Sequence, residues 1–135
     1  MYKNSTMTAL NNLSVDFSAK IIKLVKEKRD KREGYPELLL ENLEHDGLMA
    51  GVGCRRFLNN YHNYIASDNS YLVTAIKTIR DTSFWLEIAY NTGIIEKKLL
   101  DSLLKDSETM ISLLKQLVEE SFPPIKEEDY VKNIN

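Results

Sequence analysis

Near the C-terminal end, Leu99, Leu100, Leu103, Leu104, Ser107, Met110, Ile111, Leu114, Leu117 and Val118 recur at steps of three and four residues. That rhythm draws one apolar stripe along an α-helix and does not alternate from side to side as a half-buried strand does. Pro123-Pro124 terminates it. Such a helix owes most of its stability to whatever covers its stripe, so the remaining chain must supply matching faces. A first segment begins near Val15, where Phe17, Ile21, Leu24, Val25 and Lys28 recur on one helical face, with Ser14 as its expected cap, Asp16 at its positive end and Gly34 as its stop. A second opens at Pro36 and continues through ELLLENLEHDGLMAGVGCRRFL without another proline. The third is expected to turn Leu72, Ile76, Ile79, Ser83, Leu86 and Tyr90 inward, with Phe84 and Trp85 beside them, until Asn91-Thr92-Gly93 closes it with a left-handed glycine. The turn-forming stretch from Asn59 to Ser70 joins the second helix to the third, with Asp68 or Ser70 as cap. No segment keeps a period of two. The expected fold is therefore all-α, an up-down-up-down antiparallel four-helix bundle over residues 15–121, preceded by an N-terminal tail (1–14) and followed by an acidic, mobile C-terminal tail (122–135).

The second helix carries a cost. Gly47, Gly51 and Gly53 lie inside it, and each glycine costs a helix about 1 kcal/mol relative to alanine. Close approach of a neighbouring helix would offset that, and a kink at Gly51 to Gly53 is the competing expectation.

Composition narrows the function. Of 135 residues, 18 are basic and 20 acidic, so the net charge of -2 gives no general affinity for phosphate backbones. A single cysteine, Cys54, excludes an internal disulfide and a thiolate-rich zinc site, and a cytoplasmic location is expected. No apolar run approaches the roughly 20 residues that span a bilayer, and the start MYKNSTMTALNN lacks the order of a signal peptide.

Charge is nevertheless uneven. On the first helix Lys20, Lys23, Lys26, Lys28, Arg29, Lys31 and Arg32 outnumber Glu27 and Asp30. Lys20, Lys23, Lys26, Arg29, Lys31 and Arg32, joined by Arg55 and Arg56, are the candidate residues for an anionic partner, nucleic acid or protein, although a solvated lysine face serves solubility equally well. Tyr61, Tyr64 and Tyr71 could stack bases or cover helix ends. Glu41 and His45 share a helix face, but no second carboxylate-histidine pair exists to complete a bundle metal site, so no metal and no cofactor is expected. Cys54 sits among small apolar neighbours and reads as core. No catalytic residue is assigned. The alternative is a metal-independent ribonuclease, because Arg56 followed by His62 resembles the HEPN ribonuclease signature, with histidine moving a proton and arginine stabilising charge on phosphorus oxygens.

Three stretches carry a wider resemblance: Phe17 to Lys28; the order Lys77, Asp81, Thr82, Phe84, Trp85, Leu86, Glu87; and Gly93 to Val118. They resemble the four-helix-bundle, or S23-like, proteins, some of which are encoded by intervening sequences of 23S ribosomal RNA genes. The second helix departs from that family. Where members carry Ser-Ile-Gly-Ala-Asn-Ile-x-Glu, this chain has Leu48-Met49-Ala50-Gly51-Val52-Gly53-Cys54-Arg55, so only the small size of the residues is kept. Roles of the missing amide and glutamate do not carry over. The resemblance implies a homo-oligomer, a ring-like pentamer, related to the accessory proteins of diversity-generating retroelements, which bind a reverse transcriptase and nucleic acid, and the expected reading is a non-enzymatic assembly module.

Overall fold

All four apolar stripes close on one another. The computed structural model describes residues 4–31, 34–65 and 68–121. In it α1 (Ser5–Asp30), α2 (Glu37–Asn59), α3 (Ser70–Asn91) and α4 (Lys97–Ser121) follow in order, with a short 3-10 turn, Tyr61–Asn63, between α2 and α3. Helix α1 packs on α2 and α4, and α3 packs on α2 and α4, so the four stand at the corners of a square in chain order. Leu10, Phe17, Ile21, Leu43, Phe57, Ile79, Leu86, Leu103, Met110 and Leu114 fill the centre. Among the described residues no strand forms, and Ile65 and Asp68 make only an isolated bridge in the loop before α3.

Helix ends follow local chemistry. Gly93 takes φ 80°, the left-handed conformation expected after α3, and Gly34 takes φ 72° after α1. Asp68 Oδ1 accepts from the Ser70 amide at 3.4 Å and from its hydroxyl at 3.0 Å, although Asn69 holds the cap position itself. The expected stop at Pro123-Pro124 and the C-terminal tail 122–135 lie outside the described residues.

Two expectations need correction. The segment read as an N-terminal tail is helical from Ser5 onward, and residues 5–14 belong to α1. Asn4 is the true cap: its Oδ1 accepts from the amides of Thr6 at 2.7 Å and Met7 at 3.2 Å. The stripe extends backward as Leu10 and Thr6, and the clasp that holds it comes from α4, where Glu120 accepts from Asn4 Nδ2 and Thr6 Oγ1, both at 3.1 Å. Ser14 is buried within the helix, its hydroxyl donating to the Asn11 carbonyl at 2.9 Å, and Asp16 pairs with Lys20 one turn on.

The second correction concerns α3. Its buried face is Ala75, Ile79, Thr82, Leu86 and Ala89, while Tyr90 is exposed and Leu72, Ile76 and Ser83 are only half-buried. The helix is turned so that the small residue Ala75 meets α2 at Gly53. Gly53 explains this: a Cβ there would stand 3.1 Å from the Ala75 Cα and 3.3 Å from Thr78 Oγ1.

Helix α2 runs unbroken through its glycines, so close approach and not a kink offsets their cost. A Cβ at Gly47 would lie 2.6 Å from Ile21 Cγ2, and one at Gly51 would overlap Ser18 Oγ. The Ser18 hydroxyl uses that space to donate to the Gly47 carbonyl across the seam at 2.7 Å.

Candidate partner-binding surface

Residues spaced three apart on a helix drift by about 60° per step, so Lys20, Lys23, Lys26 and Arg29 fan across half the circumference of α1 instead of forming one stripe. Their neighbours differ accordingly. Lys20 meets Asp16 at 2.9 Å and, across the bundle, Asp106 of α4 at 3.3 Å. Hydrogen bonds first to Asp16 and then to Asp106 raise its pKa. Arg29 lies at the other edge, bridging Glu37 at 2.7 Å and Glu44 at 2.8 Å on α2, and its pKa is raised chiefly by Glu37. Lys31 pairs with Glu27 at 2.9 Å. These cations are spent on the fold. Lys23 and Lys26 are exposed with no carboxylate partner among the described residues. Arg32 lies outside the described residues.

Arg55 and Arg56 are adjacent but face different helices. Arg55 leans to α1, where its Nε donates to Asn11 Oδ1 at 2.9 Å. Arg56 leans to α3 and lines a cavity of about 230 Å³ with Gly53, Ser70, Tyr71 and Thr74. Among the described residues the candidate cations thus do not converge on one patch.

His62 sits exposed in the 3-10 turn, with its Nε2 3.3 Å from Asn63 Nδ2. It lines neither the cavity that holds Arg56 nor the next one, formed by Phe57, Asn60, Asn63, Tyr64, Asp68 and Tyr71. Cys54 is buried in the core, and burial pushes its thiol up to about 12, far from a reactive thiolate. His45 Nδ1 lies 3.1 Å from Asp46 Oδ1, while Asp46 Oδ2 accepts from Trp85 Nε1 at 2.6 Å, so the acid beside the histidine secures α3 to α2. Among the described residues no three His, Cys, Asp or Glu side chains gather to hold a metal ion, and no helix is long and apolar enough to cross a membrane.

Two of the three tyrosines close the end of the bundle. Tyr61 and Tyr64 pack on Phe57 with ring centroids 6.0 and 6.2 Å away, and the Tyr61 hydroxyl donates to the Leu117 carbonyl of α4 at 2.9 Å. Tyr71 is the exposed one, shared by two cavities.

Reading one helix at a time misses the outer grooves, because each is built by two. Between α1 and α2, Ser14, Val15, Ser18, Leu48, Gly51, Val52 and Arg55 line an open groove of about 300 Å³. Between α3 and α4, Arg80, Ser83, Phe84, Glu87, Leu104 and Glu108 line another of about 370 Å³. Phe84 stands out from it, its inner edge packed on Trp85 at 5.4 Å. The signal available in sequence was the set of apolar residues left off each stripe: Val15, Leu48, Val73 and Phe84.

No protein-family model matches the chain, and no curated protein matches it. Among solved structures it is similar to a protein of unknown function from the S23 ribosomal protein family of Bacteroides thetaiotaomicron. The TM-score is 0.71 at 20% identity, covering 84% of this chain and 98% of the other. At that identity the likeness is one of fold.

Proposed function

We propose that this chain is a non-enzymatic assembly module, a homo-oligomeric four-helix bundle that presents a repeated surface to a nucleic-acid or protein partner. The observation that carries the reading is the apolar surface left outside after the stripes have closed, above all Val15 and Leu48 in one groove and Phe84 beside another. Exposed apolar residues gathered at a groove mark a contact surface more often than a defect. The ring-like pentamer implied by the sequence resemblance is the stoichiometry we expect. Repetition around such an assembly multiplies Lys23, Lys26 and Arg56, so the assembly presents more free cations than one subunit does. An RNA or a reverse transcriptase is the partner class that follows.

Light scattering of the purified chain at micromolar concentration tests the assembly. A multiple of the 15.6 kDa subunit supports it, and a monomer overturns it. Single-stranded RNA binding that weakens with salt, and weakens further in Lys23→Glu/Lys26→Glu, supports the nucleic-acid partner. Binding absent at low salt leaves an assembly with protein partners alone.

A further inference from the structure

The two grooves differ in a way that suggests what fills one of them. In the square of helices, the α1–α2 edge and the α3–α4 edge are opposite sides of the bundle. The first edge is an open apolar groove: Val15 and Leu48, 54% and 50% exposed, wall it, with the small residues Ser14, Ser18 and Gly51 between them. Its charged lining residue is Arg55. The second edge carries Phe84, an aromatic ring 54% exposed at the side of a groove of its own, with Glu87 and Glu108 beside it along with Arg80.

We infer that the α1–α2 groove of one copy receives Phe84 of a second copy, with Arg55 at the groove rim meeting Glu87 and Glu108 beside the ring. The inference rests on the self-assembly proposed above and names its contact. A groove of about 300 Å³ has room for one aromatic side chain, the kind of anchor that dominates interface energy when its pocket is dry. The carboxylates beside Phe84 complement the guanidinium in the groove, whereas groove against groove would bring arginine-bearing rims together with no carboxylate in the lining to answer them. Because knob and groove lie on opposite edges, the contact is head to tail. Each copy then uses both edges, and the rotation between neighbours decides whether a ring closes.

Phe84→Glu removes the knob, and Leu48→Glu blocks the groove, with Val15→Glu as a second groove variant; all three positions are exposed, and circular dichroism with urea unfolding selects variants that fold as the wild type does. Each variant alone is expected to be monomeric by light scattering, with association weakened roughly 30-fold or more. Mixing the knob variant with a groove variant restores one intact contact and gives a two-chain species. If the wild type assembles but Phe84→Glu assembles equally well, or the mixture stays monomeric, the head-to-tail contact is overturned while self-assembly stands. A monomeric wild type overturns both.

Discussion

Helices α2 and α4 both bury one side in the same core, yet they meet their neighbours by opposite means. Helix α2 lies against α1 through Gly47 and Gly51, where the next heavy atoms leave no space for a Cβ, and against α3 through Gly53, where a Cβ would be tight. Helix α4 lies against its neighbours through Leu103, Met110, Leu114 and Leu117, all fully buried. One contact is made by removing side chains so that backbones approach, and the other by filling the gap with them. The glycine seams should therefore punish added volume and the leucine seams lost volume, although both are called core.

Substitutions that exchange these logics test the contrast. Leu114→Ala should have the largest effect, lowering unfolding free energy in urea by about 3 kcal/mol, since it removes buried methyl groups and leaves a cavity. Gly47→Ala should destabilise by about 2 kcal/mol despite the helix propensity gained, because Ile21 is β-branched, fully buried and cannot withdraw. A stabilised Gly47→Ala protein would show that the seam relaxes and would break the comparison. Gly51→Ala should cost about 1 kcal/mol alone, and Ser18→Ala in the same chain should recover most of it, because the atom in the way is the Ser18 hydroxyl. The smallest effect lies off both seams, at Glu120. Hydrogen bonds from Asn4, then Gln116 and Thr6, hold its carboxyl below the ordinary 4.5, so its contribution is present above that value and is lost as pH falls through the folded one. Glu120→Gln should accordingly make the melting temperature slightly less sensitive to acid, read by thermal unfolding from about pH 6 down to about pH 3.

Much of this contrast was legible in residue order. The α4 stripe stands out because large apolar residues, four of them leucine, occupy every buried position but Ser107, and only Leu99 of the expected stripe is exposed. The cluster at Gly47, Gly51 and Gly53 announces a close approach, since a helix retains such residues only where something compensates them. The start of α1 was hidden because Thr6 and Ser14 hold inward positions, and a hydroxyl there interrupts the apolar rhythm while finding its partner in Glu120 or the Asn11 carbonyl. The rotation of α3 was hidden for a related reason: periodicity weighs large residues, whereas the close approach at Gly53 selected Ala75. The ion pairs of the basic face were hidden by distance in sequence. Nothing near Lys20 reveals Asp106, and nothing near Arg29 reveals that Glu37 and Glu44 both reach it. Long-range pairing of this kind is decided by helix register, which a single chain of letters does not display.

Trp85 is the sole tryptophan of the chain, and its indole N–H is bound to the Asp46 carboxylate across the seam between α2 and α3. The protein thus carries a built-in optical gauge at the junction where α2 and α3 touch. Parting of those helices frees the indole to water, so its emission colour and lifetime follow that single separation, without a label, during unfolding or assembly.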